Sequence, residues 1–187
     1  TGAWRLACRF PDLFAAVVPI CGWTDWRSWY RQWYAPAERP RDVEPWRLPL
    51  IERASLLAMA ENLRHVPALI LHGARDATVP PENARRMFEA LRRCGVDVTL
   101  KEYARSKHSG FRWRWAMVFD WFEGRRLTSR VGERDVGPPS PPGVKRRVAA
   151  PGRVVYRACS DCHSGAYWVR IDERTDPDAP ARVEADG

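Results

Sequence analysis

Long apolar runs are missing from these 187 residues. A membrane-spanning helix needs roughly 18 or more consecutive apolar residues. The longest apolar stretch here, residues 13–21, is far shorter and contains Pro19, so no membrane span is expected. Lysine is scarce as well: Lys101, Lys107 and Lys145 are the only three, and arginine supplies the rest of the 31 basic residues. The net charge of +8 would otherwise hint at nucleic acid. A nucleic-acid binder gathers its basic residues on one face or stripe. Here the arginines are scattered and interleaved with acids, so no nucleic-acid partner is expected, and an anionic partner is the weaker reading. The chain opens on Thr1, with no basic-then-apolar leader. It reads as a piece of a longer protein whose N-terminal half is its missing partner. The compartment therefore stays open, with secreted or periplasmic locations both admissible. Five cysteines, an odd number, do not fix it either. Cys8, Cys21 and Cys94 fall in apolar or helical stretches, where a free cysteine behaves as a small hydrophobe.

What is present is an ordinary globular balance, 45% hydrophobic and 29% charged. Residues 1–124 carry dense hydrophobic periodicity. Residues 125–152 do not; they include Gly137-Pro138-Pro139-Ser140-Pro141-Pro142-Gly143 and read as a Pro/Gly-rich linker. Residues 153–187 read as a truncated β-hairpin extension, with strands expected at 153–157 and 166–171.

The first part alternates helix and strand. Residues 1–9 suit a helix with Ala3, Leu6, Ala7 and Phe10 on one face, stopping before Pro11. Residues 14–20 and 66–71 are continuous apolar runs, as expected of parallel strands buried on both sides. Pro80-Pro81 opens a helix, and Ala84, Met87, Phe88 and Leu91 come after it at helical spacing. Gly95 suits a left-handed helix cap. Residues 96–103 alternate as a strand wetted on one face. Residues 109–123 predict a last helix with Phe111, Trp115, Val118, Phe119 and Phe122 buried. The order is that of an α/β fold, an open and mostly parallel sheet in three layers with helices on both faces.

In such sheets, chemistry collects at the carboxyl ends of the strands. The second strand runs into His72-Gly73-Ala74-Arg75-Asp76-Ala77-Thr78-Val79-Pro80, which places a carboxylate just past a strand end. The third runs into Arg105-Ser106-Lys107-His108-Ser109-Gly110, which places an imidazole before the last helix. An Asp and a His meeting there form the base half of a nucleophilic triad. The carboxylate sets the imidazole tautomer, and the imidazole takes a hydroxyl proton. The order Ser, Asp, His fits Asp76 and His108 as second and third members. No G-x-S-x-G, the motif that would carry the nucleophile, occurs in the chain. His72 reads as a strand-end structural residue and His65 as a surface or turn residue.

These residues resemble a known family. Thr1-Gly2-Ala3-Trp4-Arg5-Leu6-Ala7 is similar to the segment just past a nucleophile elbow. The run Phe10-Pro11-Asp12-Leu13-Phe14-Ala15-Ala16-Val17-Val18-Pro19-Ile20-Cys21-Gly22 is similar to the next turn and strand. Residues 67–80 resemble the H-G-x-x-D-x-x-V-P acid loop, and 103–108 resemble the histidine loop, with Lys107 where glycine is frequent. The sequence resembles the C-terminal part of an α/β-hydrolase catalytic domain of the prolyl oligopeptidase (S9) and dienelactone-hydrolase-like group, over roughly residues 1–124. The resemblance implies a serine hydrolase acting on peptide or ester substrates through an acyl-enzyme. Asp76 would be the triad acid and His108 its base, with the serine upstream of Thr1 and no metal or organic cofactor. On that reading the isolated chain is inactive. A non-catalytic hydrolase-fold binding domain is the alternative.

Two further features stand apart. The insert at residues 23–64 holds Trp23, Trp26, Trp29, Trp33 and Trp46, half of the ten tryptophans. Most of these rings are expected to pack the insert on the main domain, with Trp23 and Trp26 the candidates for facing substrate. Cys159-Ser160-Asp161-Cys162-His163 matches C-x-x-C-H, the attachment pattern of c-type haem. It sits among expected β strands without an obvious second axial ligand, so a chance match is the preferred reading over haem or metal.

Overall fold

The computed structural model describes residues 1–33, 46–123, 125, 151–158, 165–167, 169–171 and 181–186. The 125–152 stretch expected as a linker lies almost wholly outside these residues. So does Cys159 to His163, and so do Tyr34 and the rest of the insert up to position 45.

Strand β1, Ala68–Gly73, is the centre of the sheet and is buried along its whole length. It pairs in parallel with β2, Val98–Tyr103, from Ala68 opposite Val98 to Gly73 opposite Tyr103. Its side chains alternate between two cores. Ala68 and Ile70 pack with Trp4, Ala7, Cys8, Met87 and Leu91, from helices α1 (Gly2–Arg9) and α4 (Glu82–Arg93). Leu69 and Leu71 pack with Phe111 and with Val118 of helix α5 (Trp115–Phe122). The period of two in a strand thus becomes three layers, helix on sheet on helix.

The run at 14–20 does not form a continuous strand. It pairs with β1 only through isolated parallel bridges, Val17 to Ala68 and Ile20 to Leu71. The ladder runs atom by atom. Val17 N–H donates to Pro67 O, Leu69 N–H to Val17 O, Leu71 N–H to Pro19 O and Cys21 N–H to Leu71 O. The missing rung is the one that Pro19 would donate, and proline has no N–H.

Two helices bury other faces than expected. In α1 the buried residues are Trp4, Ala7 and Cys8, while Leu6 is 52% exposed. The large indole sets the phase of the helix, and burying it outweighs burying Leu6. In α5 Val118 is buried and Phe111 lies just ahead of the helix in the same core, but Trp115, Phe119 and Phe122 are 47%, 66% and 37% exposed. Met117 and Trp121 pack inward instead. That helix is apolar nearly all round, so its periodicity carries no phase information. Helix α4 meets expectation, burying Ala84, Met87 and Leu91. It ends as Gly95 adopts φ +74 and Val96 N–H reaches back to Leu91 O, a left-handed cap that glycine adopts without side-chain strain.

The insert contributes α2 (Trp26–Trp33), α3 (Arg47–Ala54) and a 3-10 helix, Leu56–Leu63. At the C-terminal end, β3 (Arg153–Ala158) pairs antiparallel with β6 (Ala181–Asp186), not with residues 166–171 as expected. Gly165–Ala166 (β4) and Val169–Arg170 (β5) form their own small ladder. Strand β3 is stitched to the first part. Asn62 donates from Nδ2 to Cys8 O and Arg157 O and accepts Arg157 N–H at 2.7 Å. Tyr156 donates its hydroxyl to Arg9 O, and Glu61 pairs with Arg157 and Arg182. These partners are remote in sequence, so periodicity alone could not have placed them. Among the described residues no helix is long and apolar enough to cross a membrane.

Candidate active site

The site sits where β1 and β2 end side by side. After Gly73 the chain turns back, with Asp76 N–H donating to Gly73 O. Asp76 is buried, and its Oδ1 accepts the N–H groups of Thr78 (2.9 Å) and Val79 (2.8 Å), an aspartate turn that fixes the carboxylate. Its Oδ2 faces His108, whose Nδ1 lies 2.8 Å away. The histidine loop comes after β2 and is held against the acid loop by two backbone bonds, Ala74 N–H to Tyr103 O and Arg75 N–H to Ser106 O. Parallel pairing of neighbouring strands is what brings positions 76 and 108 to one rim. The His108 side chain is 45% exposed. With Nδ1 turned to the carboxylate, Nε2 is the ring nitrogen left for a proton acceptor's work.

Burial pushes the Asp76 pKa up, but the Val79 N–H and the hydrogen bonds of His108 and Cys21 outweigh it and hold it below the ordinary carboxylate value. An ionised Asp76 is the form that orients an imidazole and stabilises an imidazolium.

His72 is fully buried, with Nε2 2.9 Å from Val79 O and 3.4 Å from Asp76 Oδ2. It braces the acid loop, as its strand-end position suggests. His65 is partly buried rather than merely superficial: its Nε2 lies 2.7 Å from Arg153 O, and burial lowers its pKa. Cys21, Asp76 and His72 place a sulfur, an oxygen and a nitrogen within 4.8 Å of one another. Most of their capacity is taken, although His72 Nδ1 is buried without a hydrogen-bond partner. Asp76 accepts two backbone amides and faces a histidine, His72 Nε2 is directed at the Val79 carbonyl, and burial pushes the Cys21 thiol up to about 12. A metal held by Asp76 Oδ2 and His72 Nε2 would have to displace these partners and ionise the buried Cys21 thiol, so the set as arranged does not favour one.

Trp23 is buried, with its ring 5.0 Å from that of Trp26 and 5.7 Å from that of Trp29. The cluster begins two residues past Cys21. Thr24 anchors its root to the start of α4: the Thr24 N–H donates to Asn83 Oδ1 and its hydroxyl to Asn83 O. A cleft of about 650 Å³ opens beside it, lined by Asp25, Arg27, Ser28, Pro80, Glu82, Asn83 and Arg86. Neither Asp76 nor His108 lines that cleft. The residue that sequence reasoning missed is Cys21, read there as a small hydrophobe. Nothing in its local sequence signals a left-handed backbone or contact with the acid loop.

Solved structures share this arrangement of helices and strands. The Pyrococcus horikoshii acylaminoacyl peptidase superposes with a TM-score of 0.52 at 19% identity, over 64% of this chain and 21% of that one. A putative dipeptidyl aminopeptidase IV from Bacteroides ovatus gives 0.53 at 20% identity, over 66% and 17%. In sequence, dipeptidyl peptidase 4 of Felis catus is 28% identical over 93 residues, which is 50% of this chain and 12% of that protein. The chain thus spans only a small part of the length of the relatives it matches. The profile of the prolyl oligopeptidase family matches residues 2–123. With a parallel sheet, helices on both of its faces and that match over most of the chain, the protein belongs to the prolyl oligopeptidase family of serine-type α/β-hydrolases.

Proposed function

We propose that this chain supplies the acid and the base of a serine-hydrolase triad, Asp76 and His108. The observation that carries the reading is the 2.8 Å contact between His108 Nδ1 and Asp76 Oδ2. The nucleophilic serine and the oxyanion donors come from a segment outside these 187 residues. His108 Nε2 takes the proton of the serine hydroxyl as the oxygen attacks the acyl carbon. It then returns that proton to the leaving amine or alcohol, giving an acyl-enzyme. Water, activated in the same way, releases the acid. Asp76 stays ionised throughout and stabilises the imidazolium. The substrate is a peptide or ester, with Trp23 and Trp26 as candidate walls of the pocket for its acyl side. Their position beside a cleft that Pro80, at the end of the acid loop, also lines supports that placement.

The test is to read the coding sequence upstream of Thr1, express the longer chain and label it with a fluorophosphonate probe. One labelled serine in a G-x-S-x-G elbow is expected, with hydrolysis of peptide anilides or activated esters. Asp76→Asn should lower kcat on the order of 10⁴-fold, and His108→Ala should suppress labelling. The 187-residue chain alone should turn over no ester. Labelling indifferent to His108→Ala, or an elbow without a nucleophile, overturns the proposal and leaves a binding domain.

A further inference from the structure

The chemistry proposed above uses Asp76 and His108 and leaves the thiol of Cys21 without a role. Cys21 adopts φ +46, a left-handed backbone in a residue other than glycine. Such a conformation persists only where its surroundings enforce it, and it gathers at functional sites. Here it carries the sulfur beneath both loops. Sγ lies within 4.8 Å of an Asp76 carboxylate oxygen and 4.0 Å from the carbonyl oxygen of Lys107, the residue before His108. Gly73, at the end of β1, packs directly against the same Lys107 carbonyl. The end of β1, the acid loop and the histidine loop therefore converge around this sulfur.

We propose that Cys21 is a positioning residue for the Asp76–His108 pair, its S–H, which donates to the Lys107 carbonyl, shared with the Asp76 carboxylate beside it while His108 holds Oδ2. This rests on the reading of that pair as triad members. An ionised carboxylate only accepts, so the proton between sulfur and oxygen belongs to the sulfur. Burial, the largest influence, keeps it there. A thiol is a weak donor. It steers the carboxylate without neutralising it and without displacing the imidazole. The Lys107 carbonyl beside the same sulfur ties the histidine loop to that arrangement.

The test is proton NMR of the 187-residue chain with labelled histidine, tracking the Nδ1 proton of His108 at low field. Cys21→Ser keeps a donor and is expected to keep the signal. Cys21→Ala and Cys21→Gly remove the donor and are expected to lose it through faster exchange with water. The glycine variant tolerates the left-handed backbone, so it separates loss of the donor from loss of the fold. The methyl signals of Leu69 and Val118 report that fold. A His108 signal unchanged in both the alanine and glycine variants overturns the inference and spares the triad reading. Loss in the serine variant as well overturns the donor role. Absence of the signal from the unsubstituted chain overturns the pairing itself, and this inference with it.

Discussion

Gly73 and Lys107 are in contact so close that no side chain fits between them: a Cβ added to Gly73 would lie 2.4 Å from the Lys107 carbonyl oxygen. The Ser106 carbonyl oxygen would be only 2.5 Å away. Both obstacles are backbone, so neither can rotate aside. Gly73→Ala should therefore push the histidine loop away from β1. Overpacking of this kind costs about 1–3 kcal/mol, readable as a lower urea midpoint. It should also lengthen the His108–Asp76 contact and weaken the low-field proton signal. An alanine variant as stable as the parent, with that signal intact, would contradict the close approach of loop and strand.

Asp76 couples stability to pH. Its folded pKa is held below the ordinary carboxylate value because hydrogen bonds from the Val79 amide, His108 and Cys21 outweigh burial, which alone would raise it. A depressed carboxylate stabilises the fold above its unfolded pKa, and that contribution fades as pH falls through the folded value. Thermal melts from pH 7 downward should show a loss of stability below about pH 4 that Asp76→Asn diminishes. An identical acid limb in the variant would remove Asp76 as its source.

The C-terminal strands should be separable from the rest by one side chain. Asn62 bonds the backbone of both Cys8 and Arg157 and is itself buried. Replacing it by leucine leaves those backbone groups without their partner, at about 1–3 kcal/mol each. The expected result is proteolytic cleavage near residues 151–158 in Asn62→Leu under conditions where the parent resists. Unchanged resistance would mean that Tyr156 and Glu61 hold β3 unaided.

Cys21 should be chemically quiet. Thiolate is the reactive form, and this thiol is buried with its pKa pushed up to about 12. Alkylation mapped by mass spectrometry at pH 8 should spare Cys21 in the folded chain and reach it in urea. Cys94, less buried, should react first of the two. Rapid labelling of Cys21 without unfolding would contradict its packed position.

Much of the fold was legible in the order of residues. The apolar run before His72 announced a strand buried on both faces, and β1 is one. The spacing of Ala84, Met87 and Leu91 announced α4 and its inner face. Asp76 and His108 were legible because each lies just past a strand end, in an order that triad chemistry uses. Elsewhere the local signal was ambiguous or silent. Pro19 was visible, but the ladder rung it removes depends on which β1 carbonyl stands opposite. An all-apolar α5 offered no phase, so Trp115 and Phe119 were assigned inward when they face out. The partner of β3 lay beyond a nearer and equally plausible strand.

Hydrophobic order along the chain therefore determined most of the segments that become strands and helices, and which strand-end loops carry an aspartate and a histidine. Periodicity is a local property and survives in the sequence. Only the tertiary structure decided that Asp76 and His108 stand 2.8 Å apart, that a left-handed Cys21 lies beneath them and that Asn62 clasps a strand 95 residues away. Those facts depend on distances between parts of the chain that no run of neighbouring residues encodes.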